Sequence, residues 1–188
     1  MLYFLTKRIF DIFFSISVLT LFSPILLLSS IIIFAQDGNS IIFKQQRVGK
    51  NGKIFNFYKL RSMSIETPNV ESTIENKIQI TSFGKILRRT NLDEFPQFFN
   101  VLMGDMSVIG PRPPIASQKN LIKLRRQNKS LTLKPGLTGW AQVNAYTGMS
   151  VEEKAYFDGE YFQKIGFKMD FDIFFKTILY FTKPPPKY

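Results

Sequence analysis

The chain of 188 residues contains no cysteine and no histidine. Without cysteine there are no disulfides, no thiolate metal sites and no thiol nucleophile, which fits a reducing compartment. Without histidine the commonest general base and the commonest zinc ligand are missing. Any catalysis must therefore use carboxylates, lysine, tyrosine or a hard cation. Acidic residues are also scarce: 14 Asp+Glu stand against 25 Lys+Arg, a net charge of +11. Such a balance implies an anionic partner, either nucleic acid, anionic lipid or a phosphorylated substrate. The sequence has no internal repeat and no glycine pattern of the Rossmann or Walker kind.

What is abundant is phenylalanine, with 20 copies. That exceeds what a small soluble core needs and suits burial in lipid. Residues 12–35 carry no charge. As a helix that run would reach about 36 Å, enough to cross a bilayer core of about 30 Å. Ser23-Pro24 at its centre changes the reading. Proline removes a backbone hydrogen bond, and the neighbouring serine can satisfy the freed carbonyl. Each half is then about one leaflet deep. Lys7 and Arg8 flank one end, and Lys44, Arg47, Lys50 and Lys53 the other. The positive-inside rule puts both ends in the cytoplasm, so a re-entrant helix is expected over residues 1–36, with a proline-kinked spanning helix as the alternative, and a second region over 37–188 on the cytoplasmic side.

Further along, residues 41–48 and 53–60 read as the strands of a β-hairpin. Gly49-Lys50-Asn51-Gly52 supplies the turn. Lys59 ends the second strand, where it could point into a site. Residues 64–81 are polar and read as a surface loop. A short helix over 83–90 carries Arg88 and Arg89 in its last turn. A basic helix is expected over 115–129, a tight loop over 135–139, and a helix carrying Asp158 over 151–165. Residues 171–181 are nearly all apolar and aromatic, too short to span and suited to an interfacial helix.

The stretch with most chemistry runs from Asn91 to Pro113. Asn91 with Glu94 three residues on reads as a capping box, with a helix starting near Asp93 and Pro96 in its first turn. A carboxylate there feels the positive helix end, which favours its ionised form. An ionised aspartate is a usable nucleophile or metal ligand. Arg112, held between Pro111 and Pro113, can be aimed with little entropic cost, and its planar fork suits a phosphate.

Asp93-Glu94-Phe95-Pro96-Gln97, Gly110-Pro111-Arg112-Pro113 and Pro135-Gly136-Leu137-Thr138-Gly139-Trp140-Ala141-Gln142-Val143-Asn144, in that order, resemble the bacterial sugar transferase family of monotopic phosphoglycosyl transferases. The resemblance implies an α+β fold: a small membrane-associated domain with an N-terminal re-entrant helical hairpin, a β-hairpin and several amphipathic helices. It implies transfer of a sugar 1-phosphate from a UDP-sugar to a polyprenyl phosphate on the cytoplasmic face of the bacterial inner membrane. It further implies Asp93 as nucleophile and Mg²⁺ ligand, Glu94 as its helper, and Arg112 on phosphate. Lys59, Arg88 and Asp158 match charged positions of the family site, and Arg8 would lie near the lipid phosphate. One departure from the family pattern follows Asn144, where 145–148 reads Ala-Tyr-Thr-Gly in place of an immediate glycine. Two competing readings, a membrane-associated basic nucleic-acid-binding protein and a non-catalytic scaffold, fit less. The aromatics cluster in apolar runs and do not interleave with basic residues. A scaffold would leave Asp93, Glu94 and Arg112 without a purpose.

Overall fold

The computed structural model describes residues 2–37, 40–64, 80–144 and 148–181. The expected loop over 64–81 and the departure after Asn144 fall largely outside these, as does the proline-rich end beyond Phe181.

Helix α1 (Leu2–Asp37) is continuous and contains Pro24. Pro24 has no N–H to offer the Thr20 carbonyl, and the Ser23 hydroxyl donates to it instead at 2.8 Å. The helix is inside-out. Asp11, Ser15 and Ser29 are its buried polar residues, while Leu21, Leu27, Leu28 and Ile31 point outward. Its packed side is fastened by polar bonds. Arg8 donates to the Val101 and Leu102 carbonyls, 2.5 and 2.8 Å away. Asp11 Oδ1 accepts from the Val108 amide at 2.9 Å and the Ser107 hydroxyl at 3.1 Å. Lys7, Tyr3 and Tyr161 all donate to Asp170.

The hairpin forms as expected. β1 (Ile42–Val48) pairs antiparallel with β2 (Ile54–Leu60), Val48 opposite Ile54. Asn51 and Gly52 take left-handed φ values of 56° and 84° at the turn, which is why Asn-Gly stands there. α2 (Ser82–Arg89) is capped by the Thr81 hydroxyl, which accepts from the Gly84 amide. α3 (Gln97–Met103) follows the carboxylate stretch and ends on Gly104, φ 91°. Asn100 ties α3 to β2, accepting from Tyr58 N and donating to the Asn56 carbonyl.

Three expectations are corrected. The stretch 135–139 is not simply a loop: β4 (Gly136–Thr138) pairs parallel with β3 (Ser107–Ile109). A Cβ on Gly136 would meet the Gly110 backbone, and one on Gly139 would too. The glycines there permit backbone-on-backbone packing. The basic helix is shorter than expected: α4 spans only Lys119–Gln127. Pro113 and Pro114 precede it, the Gln118 side chain caps the approach by accepting from Ile115 N, and Lys129 turns left-handed at φ 67° after it. The third concerns Asn91, whose side chain makes no cap bond.

After β4 come α5 (Trp140–Asn144), α6 (Val151–Lys164) with a Ser150–Glu153 capping box, and α7 (Phe167–Phe181). The main core joins Phe55 and Phe57 of β2, Val101 of α3, Val108 and Ile109 of β3, Tyr161 of α6 and Ile173 of α7. A smaller cluster packs Ile33 of α1 on Leu60 and Leu87. The outer side of α7 leaves Phe171, Phe175, Ile178 and Leu179 exposed.

Candidate active site

Asp93 and Glu94 lie on a 3₁₀ turn, Leu92–Glu94, just before α3. The expected capping box does not form. Asn91 is left-handed at φ 55° and its side chain makes no cap bond. Glu94 has stronger partners than a backbone amide: Lys59 Nζ at 2.6 Å and Arg112 Nη2 at 3.1 Å, both on Oε1. Charge-assisted bonds outcompete a neutral cap. Phe95 and Pro96 keep helical dihedrals, so the turn runs straight into α3.

The two neighbouring carboxylates are in opposite conditions. Asp93 is buried at 5% exposure. Burial pushes its pKa up, opposed by Lys59 and Arg88, with Glu94 adding to the rise. Lys59 stands 3.7 Å from Asp93 Oδ2, a charge neighbour at salt-bridge range. Burial would also raise Glu94, but the Lys59 and Arg112 charges and hydrogen bonds outweigh it and hold Glu94 well below the usual carboxylate range. One carboxylate is thus clamped as an anion, and the other is kept in a dry position with a cation at its edge.

The structure brings Lys59, Asp93, Glu94 and Arg112 together, with Arg88 close enough to act on Asp93 by charge. Arg88 Nε donates to the Ser62 hydroxyl at 3.0 Å. Two expected residues are not in this group. Arg8 is occupied by the carbonyls at the end of α3. Asp158 is fully buried and pairs with Arg125, 2.6 Å away.

Sequence reasoning missed Arg47 as a site neighbour, reading it only as a positive flank. Its guanidinium lies over the Phe57 ring, as Lys59 Nζ does, with centroid distances of 5.2 and 5.7 Å. Burial, with repulsion from Arg112, lowers its pKa to about 10. Arg125 was missed as well, hidden among the basic residues of α4. The available signal for Arg47 was its place in β1 two positions before the turn, across the hairpin from the strand that carries Lys59.

Among the described residues no three acidic side chains gather as a metal cluster. Asp93 is the carboxylate not clamped by a close cation pair. One carboxylate with substrate phosphates and water is an ordinary set of oxygen donors for Mg²⁺.

The sequence profile described as bacterial sugar transferase matches residues 2–184. The chain belongs to the bacterial sugar transferase family. It is 35% identical over 172 residues to the uncharacterized sugar transferase EpsL of Bacillus subtilis, covering 92% of this chain and 85% of that protein. It is 38% identical over 181 residues to a UDP-glucose:undecaprenyl-phosphate glucose-1-phosphate transferase of Klebsiella pneumoniae, covering 92% of this chain and 39% of the relative. A UDP-N-acetylgalactosamine-undecaprenyl-phosphate N-acetylgalactosaminephosphotransferase of Aeromonas hydrophila is 33% identical over 187 residues, covering 94% of this chain and 44% of the relative. The chain thus spans less than half of these two larger sugar transferases. Their names share an acceptor and differ in the sugar.

Proposed function

We propose that this chain transfers a sugar 1-phosphate from a UDP-sugar to a polyprenyl phosphate, releasing UMP and opening the assembly of a glycoconjugate. The observation that carries the reading is the split pair: Glu94 fixed between Lys59 and Arg112, and Asp93 buried beside it with an unclamped carboxylate. In a chain without histidine or cysteine, Asp93 is the strongest nucleophile at the site.

In the first step an Asp93 oxygen attacks the sugar-bearing phosphorus of the UDP-sugar. The bond from that phosphorus to the oxygen bridging the two phosphates breaks, and UMP leaves with the electron pair. An aspartyl phosphosugar remains. A phosphate oxygen of polyprenyl phosphate then attacks the same phosphorus, the bond to Asp93 breaks, and the carboxylate is restored. Glu94 anchors Lys59 and Arg112 at the rim, so that both can turn their donors on incoming phosphate oxygens. Arg88 and Lys59 favour the ionised, attacking form of Asp93. Mg²⁺ held by Asp93 and the substrate phosphates would neutralise phosphate charge.

The same reading places the chain on a membrane as a monotopic protein, its catalytic part on the cytoplasmic face. Among the described residues α1 is the one helix long and apolar enough to cross, with only 11% of its most apolar window buried in the protein. Its early part binds α3 and β3 through Arg8 and Asp11, and its late part packs on β2 and α2 through Ile33. Attachment of both parts to one body supports re-entry and opposes crossing. The exposed apolar sides of α1 and α7 would lie in lipid and at its interface.

Two experiments test this. The purified full chain is incubated with Mg²⁺ and a UDP-sugar labelled in the sugar, drawn from a panel including UDP-glucose and UDP-N-acetylgalactosamine, without lipid acceptor. A burst of about one UMP per site is expected, with label held as a hydroxylamine-sensitive acyl phosphate at Asp93. UMP release only in the presence of undecaprenyl phosphate, with no label on the protein, would overturn the covalent step. For topology, Leu2→Cys and Asn51→Cys are labelled separately in intact cells, where the chain offers no competing thiol. Both should resist an impermeant reagent; labelling of Leu2→Cys alone would establish a crossing helix.

A further inference from the structure

The segment Pro111–Pro114 is held in an unusual way. Three of its four residues are prolines, which have no N–H, so Arg112 carries the only backbone donor in it. Each of its carbonyls instead accepts a bond from elsewhere. Gly136 N donates to Pro111 at 2.9 Å, and Val48 N to Pro114 at 2.8 Å. Arg47 Nη1 donates to Pro113 at 3.1 Å. The carbonyl of Arg112 itself receives Arg125 Nη1 at 2.8 Å.

Arg125 is only 3% exposed. The rest of its fork is used on Asp158: Nε at 2.7 Å and Nη2 at 2.6 Å, both to Oδ2. The other oxygen of Asp158 is buried without a hydrogen-bond partner among the described residues. A buried ion pair with one oxygen unsatisfied is a poor source of stability, because desolvation offsets the attraction. Its geometry does achieve something else. It brings a neutralised, rigid donor to the backbone of the one non-proline residue in the strap. Gly159 keeps α6 close enough to α4 for this, since a Cβ there would strike the Asn128 side chain.

We propose that Arg125, neutralised by Asp158, is a positioning residue that sets the direction in which the Arg112 side chain leaves the backbone, toward Glu94 and the donor's diphosphate. The inference rests on the phosphate-binding role given to Arg112 above. It moves Asp158 from the substrate to a place behind Arg112. Lysine could not replace Arg125, because a single ammonium lacks the planar fork that serves a carboxylate and a carbonyl together.

The test is steady-state UMP release by the full chain, with undecaprenyl phosphate and whichever of UDP-glucose or UDP-N-acetylgalactosamine is turned over faster. The paired variant Arg125→Met with Asp158→Leu removes both charges, so no lone ion stays buried. It should fold, yet lose about 10- to 100-fold in kcat/KM through misplacement of Arg112. In an Arg112→Lys background the same pair should cost less than about twofold more, because there is no fork left to aim. If the paired variant does not fold, Arg125→Lys is read in the same two backgrounds. Native turnover in the altered chain, or a loss that is undiminished in the Arg112→Lys background, overturns the positioning role. Native turnover of Arg112→Lys by itself overturns the phosphate role beneath it, and positioning falls with it.

Discussion

Glu94 and Asp158 are both carboxylates answered by arginine, and they are answered in opposite ways. Glu94 is 23% exposed, shares one oxygen between Lys59 and Arg112, and its arginine is 47% exposed. The side chains of Asp158 and Arg125 are 1% and 4% exposed and meet through two bonds of one rigid fork. Solvent reaches the first group and partly screens it. Nothing screens the second, and neither member can move without leaving a charge in a dry place. The first arrangement suits a site whose cations must be surrendered to an arriving phosphate. The second suits a support that must stay still while that happens.

The largest effect should come from breaking the rigid member. Asp158→Asn leaves Arg125 buried and unneutralised, and should destabilise the fold by about 3–5 kcal/mol. Urea unfolding followed by circular dichroism checks this; an unchanged midpoint would make the two ion groups equivalent after all. Next is Arg112→Lys in the exposed group. It keeps the charge and the fold but loses the fork, at a cost on the order of 2–4 kcal/mol of transition-state binding. The thermal midpoint should stay native while turnover falls, and turnover near the native rate would reduce Pro111-Arg112-Pro113 to a turn.

The smallest effect sharpens the contrast by pH. In the proposed mechanism Asp93 attacks in its ionised form, and burial raises its pKa, so the acid limb of the rate profile should lie above the ordinary aspartate value of about 4. Glu94→Gln removes a charge that raises Asp93, so that limb should move to lower pH. Lys59→Met removes one that lowers it, so the limb should move up. Glu94 behaves in the reverse sense. Its folded pKa is depressed, so the stability it adds is present above its unfolded value and fades as acid protonates it. A limb that is indifferent to both substitutions would mean that Asp93 does not set it.

Much of this was legible in the sequence because it is local. Asn51-Gly52 announced the hairpin, and adjacent carboxylates with a proline-bracketed arginine announced the site. What escaped was decided over distance. Glu94 is drawn off its cap by Lys59 and Arg112, 35 and 18 residues away. Residues 136–138 form a strand only because a three-residue partner lies beside them, too short for any alternation to show. Arg125 looks like its neighbours on α4, and only Asp158, 33 residues on, distinguishes it. Pairings of this kind follow from topology, and local patterns of charge do not encode them.

The polar fastenings of α1 have a consequence for how the protein is made. Lys7, Arg8 and Asp11 are synthesised well before their partners, which lie 163, 94 and 97 residues further on. At ordinary rates of synthesis the Lys7 partner arrives on the order of ten to thirty seconds later. Until those partners are made, the three charges on this otherwise apolar segment have only one another. The helix therefore has to be kept from aggregating during translation, and the rest of the chain completes itself by closing onto a template that is already in place.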